Sequence, residues 1–269
     1  MELCLDSLTL TDTEPVELIR AAGSAGFDLV SLWVQPPPLY ARALLTSDQV
    51  RDCVAALGDA GVRAGPLEVF DLTSAAAVDS FVPALDRGAR LGARTASAIN
   101  MQNHDAAHVS DLLARFGELA HGFGLGITIE PLAGWATSTL EQAQSMILAA
   151  QVDAGIVFDI SHLIRAGGTI ADLAAVEPGL LWHAQLCDGV ASLTREEAVV
   201  ESWQERLYPG DGVFPLVEAL RRVPRDISWG IEAPSRRRAS QGMTARQQAA
   251  EAMAAMRRTI DRVLATNGG

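Results

Sequence analysis

GIVFDISH, residues 155–162, decides the reading of the chain. Small and apolar residues run into a carboxylate, Asp159, and a histidine, His162, follows three positions later. An apolar run of strand length reads as a strand buried on both faces, which belongs in a parallel sheet covered by helices. A lone buried carboxylate is costly unless it is paired or bound to a cation. Asp159 at the end of such a strand therefore calls for a positive partner.

Outward from this sixth strand, the same alternation of apolar runs and helical patterns covers the chain. Strands are expected near residues 2–8, 27–34, 62–70, 95–100, 126–132, 180–187 and 227–233. Asp12 and Thr13 offer an N-cap before Pro15, opening a helix to about Ala25, and Ser47 offers another for the helix carrying Val50, Val54 and Leu57. The prolines at 36–38 make a rigid surface connection. Val78, Phe81, Val82 and Leu85 mark a third helix, and Val109, Leu112, Leu113, Phe116 and Leu119 a fourth. Ser138 and Glu141 stand at capping-box spacing, and Thr169 with Asp172 opens a short helix. An irregular segment, 188–212, precedes helices at about 214–222 and 244–264. Eight strand–helix units without a G-x-G-x-x-G loop fit a single (β/α)8 TIM barrel, an α/β fold, over 1–269 as one domain.

Composition removes several chemistries. The 269 residues include no lysine, all 21 basic residues being arginine, so Schiff-base aldolases, pyridoxal enzymes and P-loop nucleotide binding are excluded. A formal charge of −12 works against nucleic-acid binding. No run of eighteen apolar residues exists and MELCLDSLTL carries no signal-peptide pattern, so no membrane partner and a cytoplasmic location are expected. Cys4, Cys53 and Cys187 are few and far apart, which points to a reducing compartment without disulfides or a thiolate zinc site.

In a barrel of this kind the reactive groups stand at the C-terminal strand ends. Those of strands five to eight are Glu130, Asp159, Gln185 and Glu232. Side chains alternate along a strand, so each points to the barrel axis while Ile129, Phe158, Leu186 and Ile231 face the helices. Three converging carboxylates repel one another unless a cation compensates, and three carboxylates with one amide oxygen form a hard set suited to Mn2+ or Mg2+.

IEPL (129–132), FDISH (158–162), WHAQLCD (182–188), YPGDG (208–212) and GIEAP (230–234) resemble the xylose-isomerase-like TIM-barrel family of sugar isomerases and epimerases, with inosose dehydratase relatives. The resemblance implies that Glu130, Asp159, Gln185 and Glu232 hold a divalent metal, with glutamine standing where many members carry histidine, as in the hydroxypyruvate-isomerase branch. It also implies substrate contact by His162, while Arg206, Glu68 and Trp33 are further candidates for lining the pocket. His183 is expected to be interior, and Asp188 either orients Gln185 or caps its loop. Asn100 ends strand four, and Arg236 to Arg238 form either an anion site or a solvated face.

The implied chemistry is proton transfer on a small sugar or polyol ketone. A metal on the keto and hydroxyl oxygens acidifies the C–H between them, and Glu130 and Glu232 remove and return the proton. Loss of a hydroxyl instead makes the same parts a dehydratase of an inosose or dehydroshikimate-like ring. An abasic-DNA phosphodiesterase is opposed by the charge and by the lack of histidines ending strands two to four. A homo-oligomer is compatible with the sequence but not specified by it.

Overall fold

The computed structural model describes residues 1–37, 39–177 and 179–265. Their strands are β1 (Glu2–Leu5), β2 (Leu29–Trp33), β3 (Arg63–Asp71), β4 (Thr95–Ile99), β5 (Gly126–Ile129), β6 (Ala154–Asp159), β7 (Leu181–Leu186) and β8 (Ser228–Ile231). Each pairs in parallel with the next, and β8 pairs with β1, closing the barrel. The helices are α1 (Pro15–Ala25), α2 (Val50–Ala60), α3 (Ala75–Asp79), α4 (Val82–Leu91), α5 (Ala106–Gly122), α6 (Leu140–Ala150), α7 (Ile160–Arg165), α8 (Arg195–Gln204), α9 (Leu216–Arg222), α10 (Arg236–Ser240) and α11 (Ala245–Ala265). The expected (β/α)8 barrel is therefore present.

Every residue of β6 is buried, as expected for a strand with packed side chains on both faces. Ile156 and Phe158 belong to the layer between barrel and helices, while Asp159 ends the strand toward the axis. Gly155 gives the Trp182 indole its place, because a Cβ at 155 would overlap that ring. Phe70, Phe81 and Phe116 pack edge-on and tilted, with centroids 5.0 to 5.9 Å apart, and pin β3 to α5. Such aromatic contacts add to plain area burial.

Strands are shorter than their apolar runs wherever the chain turns out of the barrel: β1 stops at Leu5 and β5 at Ile129. Three expected caps move. Glu14, not Asp12 or Thr13, is the N-cap of α1, because Asp12 adopts a left-handed φ of 55° and its carboxylate accepts from Arg42 N. Gln49 precedes α2, while Ser47 lies two residues further out. The capping box of α6 is Thr139 with Gln142, one residue on from Ser138 and Glu141. Thr169 and Asp172 do form a box, on a 3-10 turn over Ile170–Ala175. The third helix is two pieces, α3 and α4, broken at Ser80 and Phe81. The segment after β7 contains α8, capped by Thr194 and Glu197. Part of the 36–38 proline run, Pro38, lies outside the described residues.

Candidate active site

Glu130, Asp159, Gln185 and Glu232 follow or end β5, β6, β7 and β8 and are all buried at the C-terminal mouth of the barrel. Asp159 is also the N-cap of α7: its Oδ1 accepts from Ser161 N at 2.6 Å and His162 N at 3.1 Å. Its Oδ2 accepts from Arg206 Nη1 at 2.6 Å. The same nitrogen lies 2.9 Å from Glu232 Oε2 and donates to the Glu232 backbone oxygen at 3.2 Å. Gln185 Nε2 donates to Glu232 Oε1 at 3.1 Å, leaving the Gln185 Oε1 buried and without a partner.

Arg206 thus stands at the centre of the carboxylate set, only 2% exposed. The loop after β7 places it there. Asp188 accepts backbone N–H bonds from Gly189 and Phe214 at 2.9 Å and from Gly210 at 3.0 Å. Asp188 and Leu207 exchange backbone bonds, and Arg206 N donates to Pro234 O. Asp188 therefore fixes the loop and does not bond Gln185. Glu201 on α8 takes Arg165 Nε and Nη2 at 2.7 Å each, a buried bidentate pair that ties α8 to α7.

One guanidinium against three carboxylates leaves two formal negative charges, and the protonation equilibria reflect this. Burial, then the charges of Glu232, Asp159 and Glu68, push the Glu130 carboxyl well up. Burial pushes Glu232 up to about 8 although Arg206 pulls against it. Burial also opposes ionisation of Asp159, but Arg206, His162 and the α7 N–H groups outweigh it and hold the group below its usual range. Burial pushes His162 down to about 4. His162 Nδ1 accepts from Ala133 N at 3.2 Å, while its Nε2 lies 3.3 Å from Arg206 Nη2 and 3.8 Å from Glu130 Oε1.

Donor atoms of Glu130, Asp159 and His162 converge to within 4.8 Å of one another. Together with the buried, partnerless Gln185 oxygen, this oxygen-rich group fits a divalent cation. His162 is closer to this group than its sequence reading as a substrate contact implied.

Above it lies a small pocket of about 40 Å³ lined by Trp33, Trp135, Trp203, His162, Arg206, Glu130 and Glu232, among others. Trp33 and Trp203 have centroids 6.4 Å apart at 46°, forming an apolar wall. A wider cleft between α6 and the loop after α7 touches Asp159 but not Glu130, Arg206 or Glu232. Glu68 sits deeper, accepting from Ser7 Oγ at 2.9 Å, and burial with the charges of Asp6 and Glu232 raises it. Asn100 bonds Thr137 and the Asn103 backbone, away from the carboxylates. Arg238 is buried with its guanidinium 3.4 Å from the Tyr208 ring centroid, so the arginine run is not wholly a solvated face. His183 lies inside the barrel as expected. Sequence reading missed Asp6, Trp135 and Trp203; Asp6 ends the apolar run of β1 as Asp159 ends that of β6, and that parallel was the available signal.

The closed parallel topology, with Asp159 ending β6 and Glu130 and Glu232 following β5 and β8, makes this a (β/α)8 protein. The sequence profile of the xylose isomerase-like TIM barrel family matches residues 19–259, and the chain belongs to that family. Among solved structures, the IOLI protein with a binding zinc atom superposes with a TM-score of 0.79 at 17% identity, over 99% of each chain. A D-psicose 3-epimerase with D-tagatose from Clostridium cellulolyticum H10 gives 0.75 at 14%, over 98% of this chain and 99% of that one. A xylose isomerase-like TIM barrel/4-hydroxyphenylpyruvate dioxygenase fusion protein gives 0.82 at 20%; 98% of this chain is covered, but only 43% of the fusion protein. No curated protein matches by sequence. At these identities the structural likeness speaks to the fold. No helix among the described residues is long and apolar enough to cross a membrane.

Proposed function

We propose that the protein is a divalent-metal-dependent isomerase or epimerase of a small sugar or polyol ketone. The observation that carries this reading is the meeting of Glu130, Asp159 and His162 donor atoms within 4.8 Å, with Glu232 held on the same Arg206 guanidinium as Asp159. Glu130, Asp159, Glu232 and the Gln185 carbonyl oxygen are the proposed ligands, with His162 beside them, and Mn2+ or Mg2+ suits an oxygen set best. When bound, the ion would polarise the keto and neighbouring hydroxyl oxygens and so acidify the C–H between them.

The protein's own groups supply the rest. Glu130 and Glu232 are the carboxylates that would remove the proton and return it. Arg206 lines the pocket and offers its guanidinium to a substrate oxygen on which charge develops. His162 presents Nε2 toward Glu130, Arg206 and the pocket. Trp33, Trp135 and Trp203 supply apolar faces for the C–H side of a sugar and keep water out. Zinc in the IOLI structure and D-tagatose in the epimerase structure support a metal site and a small-sugar substrate. All three cysteines are free and buried, which supports a reducing, cytoplasmic setting.

The test is incubation of the metal-loaded protein with keto sugars and inososes in deuterated water. Exchange of a carbon-bound proton without water loss is the expected result, lowered about 10²- to 10⁴-fold in Glu130→Gln and Glu232→Gln. Release of water with formation of a double bond would make it a dehydratase, and no exchange with any member of the panel would overturn the reading.

A further inference from the structure

A second cluster of ligating side chains lies inside the barrel, apart from Glu130 and Asp159. Cys4 is on β1, Asp6 just beyond it and His183 on β7, and all three are 2% exposed or less. One donor atom from each, sulfur, oxygen and nitrogen, lies within 4.8 Å of the other two. Cys4 Sγ is 3.3 Å from Asp6 Oδ1, and His183 Nε2 is 3.4 Å from the same oxygen. Tetrahedral zinc, with bonds of about 2.3 Å to sulfur and 2.0 Å to nitrogen or oxygen, spaces its ligand atoms about 3.3–3.5 Å apart.

Two of the polar atoms in this cluster are buried without a hydrogen-bond partner, Asp6 Oδ2 and His183 Nε2. The remaining ring nitrogen, Nδ1, is 2.7 Å from Ser228 Oγ, which fixes the ring with Nε2 toward Asp6. Gly230 keeps the space clear: a Cβ there would overlap Asp6 Oδ2 and stand 2.8 Å from His183 Nε2. Glu68 and Glu232 add negative charge near Asp6. An orphaned carboxylate oxygen and an orphaned imidazole nitrogen in a dry interior are costly unless something binds both.

We propose that Cys4, Asp6 and His183 form a second metal site, distinct from the oxygen-rich site at the barrel mouth and suited to a borderline ion such as Zn2+. One thiolate, one imidazole and one carboxylate make a three-ligand set that favours zinc over Mg2+ or Mn2+. The two sites would then sort metals by ligand type within one barrel.

Cobalt(II) is the probe, because a thiolate ligand gives it a near-ultraviolet sulfur-to-metal charge-transfer band that oxygen and nitrogen ligands do not. The full chain is produced in cobalt-supplemented medium, so that the ion is present as the barrel closes. A charge-transfer band with intense tetrahedral visible bands is expected, lost in Cys4→Ser and in His183→Gln. It should be retained in Cys187→Ser, whose thiol lies against Arg206 instead. Absence of the band from the wild-type protein overturns the proposal whatever the variants do. So does a band that survives Cys4→Ser or disappears in Cys187→Ser. A wild-type protein without it would hold Asp6 and His183 as a metal-free pair, with the Cys4 thiol donating to Asp6.

Discussion

Arg206 is a side chain that two buried carboxylates depend on. Removing one partner from such a group strands the others, at a cost of about 3–5 kcal/mol. Arg206→Met is therefore expected to destabilise the metal-free protein by about that amount in urea unfolding, and Mn2+ should restore much of the loss by taking over the charge. An equal loss with and without Mn2+ would mean that no ion reaches Asp159 and Glu232. The raised carboxyl of Glu232 sets the pH dependence. Its folded value of about 8 lies above the ordinary 4.5, so the folded state binds more protons and stability falls as pH rises through that interval. His162 opposes this below its ordinary 6.5, since its folded value of about 4 makes the unfolded state bind more protons there. The window in which the Glu232 effect is unopposed by His162 is thus about pH 6.5 to 8. Urea midpoints of the metal-free protein should drop across it, and those of the Mn2+-loaded protein should not.

At the scale of elements, the loop after β7 places the site. Asp188 gathers three backbone N–H groups, each bond to a charged acceptor contributing about 1.5–3 kcal/mol. Asp188→Ala should loosen residues 189–212 while the barrel stays folded, raising their proteolytic cleavage rate about tenfold or more. Unchanged cleavage would show that the Arg165–Glu201 pair and the packing of α8 hold the loop without it. The strands were readable because each of β5 to β8 runs apolar into a polar residue, and a period of two fixes which side chains face the axis. Helix starts were less readable, since Ser138-x-x-Glu141 and Thr139-x-x-Gln142 overlap and only the chain's exit from β5 decides between them. Arg206 could be noticed but not placed: it follows β7 by some twenty residues of loop, where no periodicity relates sequence to position. Asp6 went unread because the first strand was carried through it to residue 8.

Across the whole molecule, charge and shape have separate addresses. The helices and barrel wall are packed with apolar residues, whereas Asp6, Glu68, Glu130, Asp159 and Glu232 are buried within the barrel with Arg206 as the one guanidinium paired to any of them among the described residues. A fold keeps such an imbalance only if protons or cations complete it. Diffraction from crystals grown with Mn2+, recorded for the manganese anomalous signal, tests this most directly. A peak bounded by Glu130, Asp159, Gln185 and Glu232, with Arg206 withdrawn from Asp159, is the expected result. Crystals with no peak there, and the guanidinium still bridging Asp159 and Glu232 at saturating Mn2+, would contradict it.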